Sequence, residues 1–188
     1  MDSFTVRRPA SWEDVLAAPE NKVAELIDGE LVLSSRPSVR NAIACARVLR
    51  SLDGDESDDV EGWAVFREVE LHLGQPSPQS LVLVPDLSGW RSERFVGVPE
   101  DAAAIEVVPD WVCEILSPGT HRHDRLVKMD IYARLGVGWA WLVDPAERTL
   151  EVFALRDGLW TRVQVGGPED RLTLQPFGVE VDLERWFR

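Results

Sequence analysis

The run Trp111-Val112-Cys113-Glu114-Ile115-Leu116 constrains this chain more than any other segment. It is apolar at both parities. Successive strand side chains point to opposite faces, so the run reads as a central strand covered on both sides. Glu114 interrupts it. An unpaired buried carboxylate is costly, so this one must find a cation, bind a metal or hold its proton.

The flanking pattern supplies the other layers. Ser11-Trp12-Glu13-Asp14 has capping-box spacing and predicts a short helix over Val15 to Ala18, stopped by Pro19. Val23 to Ile27 and Glu30 to Leu33 flank Asp28-Gly29, the composition of a tight hairpin turn. A helix is expected over Asn41 to Leu52, then strands over Trp63 to Phe66, Glu68 to Leu73, Leu81 to Asp86 and Asp110 to Leu116. A helix over Asp124 to Leu135 ends at Gly136 and precedes an apolar strand, Trp139 to Val143. Leu150 to Leu155, Trp160 to Val165 and a segment near Val179 to Leu183 close the chain. This order predicts an α/β or α+β fold with a mixed central sheet flanked by helices. At 188 residues the expectation is one domain: residues 1–35 an N-terminal helix and β-hairpin appendage, 36–145 the core, and 146–188 C-terminal strands.

Charge and cysteine usage narrow the function. The net charge of -13 counts against a broadly basic coat for nucleic acid. The acid is unevenly spread, however. Asp53, Asp55, Glu56, Asp58, Asp59 and Glu61 read as a solvated loop, whereas the stretch holding Arg36, Arg40, Arg47 and Arg50 contains no acid. No apolar run approaches the roughly 20 residues that span a bilayer, so no membrane partner is expected. The polar Met1 to Ala10 has no apolar stretch after it, and the expected location is cytoplasmic. Cys45 and Cys113 make neither a CxxC pair nor a disulfide framework.

Three groups could carry chemistry. Glu114 is the first. Asp86 follows Val84-Pro85, and proline places it where strand pairing stops and a site can open. Asp124, Lys128 and Tyr132 are spaced i, i+4, i+8 and share one helix face. The short connection from Ser117 to Thr120 brings that face near Glu114. Two carboxylates on adjacent strands beside a lysine can hold a divalent cation such as Mg²⁺ and act on a phosphodiester. His121-Arg122-His123 lacks a third ligand and reads as a polar helix start. Trp90 and Trp160 are the tryptophans expected to make exposed contacts.

The segments Glu25-Leu26-Ile27-Asp28-Gly29-Glu30-Leu31, Val84-Pro85-Asp86-Leu87, Pro109 through Glu114 to Pro118, Asp124 through Lys128 to Tyr132, and Gly136 through Trp141 to Pro145 resemble the Uma-two family. These are restriction-endonuclease-like proteins of the PD-(D/E)XK type, and the resemblance runs from about Glu25 to Leu155. It implies a nuclease-like core in which Asp86 and Glu114 bind Mg²⁺ or Mn²⁺ and the backbone carbonyl of Ile115 is a further ligand. Leu116 stands where the usual pattern has its lysine, so the resemblance implies that Lys128 supplies that charge from the following helix. Asn41 replaces a histidine common in the family, and the first helix lacks a glutamate often seen there, a role that Glu25 or Glu30 could fill.

The first functional reading is therefore a metal-dependent endonuclease acting on DNA, with arginines from Arg36 to Arg50, or Arg122 and Arg125, on the phosphate backbone. A homodimer would suit cleavage of both strands of a duplex. The second reading is the same fold without the chemistry, a module that binds nucleic acid or protein through the old active-site groove. A small-molecule hydrolase has no nucleophile motif in its favour.

Overall fold

The computed structural model describes residues 8–52, 61–74 and 81–188; apart from Glu61, the acidic run lies outside them. Helix α1 (Trp12–Leu16) opens as its sequence predicts, with the Ser11 amide donating to Asp14 Oδ2 at 2.8 Å. β1 (Lys22–Ile27) and β2 (Glu30–Ser35) form the hairpin, turning at Asp28 and Gly29 with φ of 50° and 77°. α2 (Val39–Leu52) leads to β3 (Trp63–Arg67), β4 (Leu71–Leu73), β5 (Leu81–Leu83), β6 (Leu87–Arg91) and β7 (Trp111–Ile115). Next come α3 (His121–His123), one π-helical turn (Asp124–Lys128) and α4 (Met129–Leu135). β8 (Trp139–Asp144), β9 (Thr149–Arg156), β10 (Leu159–Gly166), β11 (Arg171–Leu174) and β12 (Val179–Asp182) complete the order.

Six strands make a mixed sheet in the order β10-β9-β8-β7-β6-β3, with β7 and β8 parallel and the other neighbours antiparallel. A parallel pair needs a long crossover, and the segment from α3 to α4 provides it. A second, antiparallel sheet runs β2-β1-β5-β4, and β11 pairs with β12. The hairpin is thus joined to the strands that lead into the large sheet, because Leu26 of β1 pairs with Val82 of β5.

Every residue of β7 is buried, as a strand covered on both faces requires. Trp111, Cys113 and Ile115 pack with Ala44, Cys45 and Val48 of α2 and with Leu174 and Trp186. Val112 and Leu116 pack on the opposite side with Leu83, Met129, Ile131 and Tyr132. Burial of each large apolar side chain contributes about 1.5–3 kcal/mol, which holds this strand rigid between two layers.

The chain departs from the sequence reading after Leu83. The strand expected to run to Asp86 stops there, and Val84-Pro85-Asp86 carries the chain from one sheet to the other. β6 was not expected, because Ser88 and Gly89 have low strand propensity. Its glycine answers a packing demand: a Cβ on Gly89 would lie 3.1 Å from Trp111 and 3.4 Å from Val65. Trp90, expected to be exposed, is fully buried and donates its Nε1 hydrogen to the Val107 carbonyl at 2.9 Å. Trp160 is half-buried, with its Nε1 hydrogen on the Met129 carbonyl at 2.7 Å.

Gly89→Val should therefore cost about 1–3 kcal/mol through overpacking. A urea midpoint equal to wild type would show that β6 and β7 can separate to admit the side chain.

Candidate active site

The site forms where the two sheets meet. The last pair of the β6–β7 ladder is Leu87 with Cys113, and one further antiparallel step sets Asp86 opposite Glu114. Asp86 is anchored there, its Oδ2 accepting the Ile115 amide hydrogen at 2.7 Å. Lys128, on the crossover helix, reaches Glu114 Oε1 at 2.7 Å and Glu25 Oε1 at 3.2 Å, and donates to the Val84 carbonyl at 3.3 Å. Tyr132 donates its hydroxyl hydrogen to the same Glu114 oxygen. The face predicted from the i, i+4, i+8 spacing is thus aimed at Glu114, and the π turn from Asp124 to Lys128 lies within it, a feature often found at functional sites. Glu25 enters from β1, where its Oε1 also accepts the Val84 amide hydrogen at 2.9 Å.

Glu25, Asp86, Glu114 and Lys128 border a cleft of about 550 Å³ whose walls also include Arg36 and Asn41. Burial pushes the Asp86 carboxyl up to about 7, with the Glu114 charge adding to the effect. Burial also raises Glu114 to about 7 against the downward pull of Lys128, and raises Asp124 to about 6. For Lys128, burial acts downward, yet Glu114 and Glu25 outweigh it and hold the ammonium well above the usual lysine range. With its donors on Glu114, Glu25 and Val84, this lysine is a fixed positive charge and not a proton acceptor.

Asn41, the substitute for the family histidine, is buried and donates its Nδ2 hydrogens to the carbonyls of Ile115 at 2.8 Å and Leu116 at 3.2 Å. It therefore already occupies one lone pair of the Ile115 carbonyl, the backbone atom that the family resemblance implies as a ligand. Asp124 is buried on the cleft wall, and Tyr132 lies behind Glu114. Glu30 does not join them: it is exposed at the hairpin turn and does not border the cleft.

One cleft residue escaped the sequence reading and another was set aside in it as part of a polar helix start. Glu68 falls between β3 and β4, not in a strand, with φ of 51° and its amide hydrogen on the Asp86 carbonyl at 3.1 Å. Its left-handed conformation leaves no sequence signature. His123 lies 3.9 Å from Glu25 Oε2, and its buried Nε2 has no hydrogen-bond partner among the described residues. The HxH spacing flagged it, but only the position of α3 reveals that it borders the cleft.

The donor set suits a hard cation. Asp86 Oδ1 and Glu114 Oε2 are the oxygens not used in the contacts described above, and Mg²⁺ is commonly held by one or two carboxylates with substrate phosphates. Among the described residues no group of three or more His, Cys, Asp or Glu is arranged to hold a metal. A main-chain carbonyl, water and substrate oxygens would complete the coordination.

Two outcomes follow for the metal-free protein. Asp86, Glu114 and Asp124 hold protons in the folded chain at pH values where the unfolded chain has released them. Their contribution to stability is full below about pH 4 and is lost as pH rises through about 6 to 7. His123, lowered by burial, works in the opposite direction below about pH 6.5. The three acids outnumber it, so the urea midpoint should be lower near pH 8 than near pH 5; the reverse order would contradict this balance. Lys128→Met should cost about 3–5 kcal/mol, because Glu114 and Glu25 lose their cation, and less at low pH where Glu114 takes a proton. A loss independent of pH would argue that packing alone is responsible.

The fold can be placed among known proteins. The chain is similar to the crystal structure of a putative nuclease belonging to DUF820 from Anabaena variabilis, with a TM-score of 0.73 over 95% of this chain and 98% of that one. Sequence identity is 21%, so the likeness shows the fold: a mixed α+β, nuclease-like architecture. No curated protein matches the chain. The family pattern of Uma2, described as "Putative restriction endonuclease", matches residues 12–184, nearly the whole length and every element of the cleft. The chain belongs to the Uma2 family.

Proposed function

We propose that the protein is a Mg²⁺- or Mn²⁺-dependent endonuclease that hydrolyses DNA phosphodiester bonds. The observation that carries this reading is the convergence of the half-buried Asp86 and the buried Glu114, two carboxylates raised to about 7, on one cleft beside the cationic Lys128. Asp86 and Glu114, with the second lone pair of the Ile115 carbonyl, would hold the cation. A bound divalent ion supplies charge neutralisation at a phosphoryl oxygen and a lower pKa for an attacking water.

The rest is the work of this chain's own groups. Lys128 and Tyr132 fix one oxygen of Glu114 and turn the other toward the cleft. The Ile115 amide does the same for Asp86. Lys128 also balances Glu25, which otherwise would add a third negative charge where a phosphate must approach. In this reading Lys128 is a positioning residue and an electrostatic one.

Asp86→Asn and Glu114→Gln should each lower metal-dependent cleavage of duplex DNA by about 100-fold or more. Calorimetric titration with Mn²⁺ should lose its binding heat in the same variants, with circular dichroism confirming the fold. Cleavage that survives both substitutions would sink the assignment. The Asn41 contact to the Ile115 carbonyl favours a second reading, a nuclease fold that binds DNA without cutting it. A wild-type protein that retains duplex but cleaves none in either metal would select it.

A further inference from the structure

A second depression, of about 490 Å³, lies on the outer face of α2. Its walls include Arg40, Ile43, Arg47, Arg148, Trp186 and Arg188, and among the described residues no acidic side chain borders it. In a chain of net charge -13 a groove with that composition stands against the background. Arg40, Ile43 and Arg47 recur at i, i+3, i+7 and so share one face of the helix. Cys45 and Val48, turned away from that face, pack on β7, and Ala44 lies between the groove and this core.

The groove is held open by the chain itself. Arg47 donates to the Trp186 carbonyl at 3.2 Å and to the Arg188 main-chain oxygen at 2.7 Å, which seats the segment around Trp186 against α2. Arg188 also contacts Glu184 at 3.4 Å. Arg40 and Arg148 are exposed and stand in no ion pair among the described residues. By contrast Arg125, one of the arginines expected on the phosphate backbone, is bound to Glu151.

Neighbouring residues at the first turn of α2 border either the cleft or the groove. Arg36, Ser38 and Asn41 border the cleft, while Val39 and Arg40 border the groove. A strand whose scissile phosphate lies beside Asp86 and Glu114 must carry its neighbouring phosphates out along some path. From Arg40 to Arg47 the helix rises roughly 10 Å, about three phosphate-to-phosphate steps along the axis of one strand.

We propose that this groove is the exit track for the DNA backbone, with Arg40 and Arg148 each holding a phosphate; the assignment rests on the nuclease reading of the cleft. Charge complementarity selects this occupant over a second copy of the chain. A two-fold contact through the groove would set its arginines against their own symmetry mates.

The test compares wild type with the double variant Arg40→Glu/Arg148→Glu, using fluorescence anisotropy on a labelled duplex across a salt series. The variant should bind at least about tenfold more weakly at low salt, and its salt slope should be smaller by about 2, one for each lost phosphate contact. If reversal disturbs the circular dichroism spectrum, Arg40→Gln/Arg148→Gln gives the same slope change without new charge. Equal affinity and slope would overturn the track and leave the nuclease reading standing. A wild type that fails to bind duplex at low salt would overturn both together. Unchanged DNA affinity with an altered sedimentation coefficient would assign the groove to a second copy and overturn the proposal.

Discussion

The ion pair between Lys128 and Glu114 is the interaction on which the site depends. Both side chains are buried, at 3% and 2% exposure, in a strand and a helix that otherwise show apolar surface to each other. Either one alone would be an uncompensated charge between two apolar layers, and a buried pair missing one member is strongly destabilising. Together they tie the crossover helix to the central strand. Tyr132 and Val84 complete the satisfaction of the pair, and Glu25 uses the remaining positive charge. Removing the lysine would therefore disturb three elements at once, namely β1, β7 and the helical crossover.

That arrangement explains why the cleft can remain acidic without collapsing. Asp86, Glu114, Asp124 and Glu25 are all near one ammonium. One cation cannot neutralise four carboxylates in a region of low dielectric, so burial lifts Asp86, Glu114 and Asp124 above their ordinary values. A site that is short of positive charge is one that a divalent cation can enter. The same shortage sets the cleft apart from the arginine-lined groove on α2, which carries the opposite imbalance.

Much of this was legible in the sequence for identifiable reasons. Asp28-Gly29 marked the hairpin because few residues tolerate two left-handed positions in succession, and both occur here. Glu114 stood out because a carboxylate in a doubly apolar run has to be resolved chemically. The i, i+4, i+8 face was readable because helical spacing survives even with a π turn inserted. Other features left weaker marks. β6 was hidden by Gly89, whose reason for being there is Trp111 on the neighbouring strand. Glu68 and His123 come to the cleft from an irregular turn and a three-residue helix, and neither carries a periodicity.

Glu30 and Trp90 show the limit from the other direction. Glu30 was as reasonable an acidic neighbour as Glu25 on sequence alone, since both belong to the same hairpin. The pairing of β1 with β5 brings Glu25 to Lys128 and leaves Glu30 exposed at the turn. Local sequence determined most of the element types and the strand covered on both faces, and it marked Asp86, Glu114 and Lys128 as candidates, because these follow from residue chemistry and short-range periodicity. Only the tertiary structure decided which hairpin glutamate meets the lysine, where Asn41 donates, and that the arginines of α2 line a second depression apart from the cleft. Those outcomes depend on pairings between residues far apart in the chain, and no local pattern encodes them.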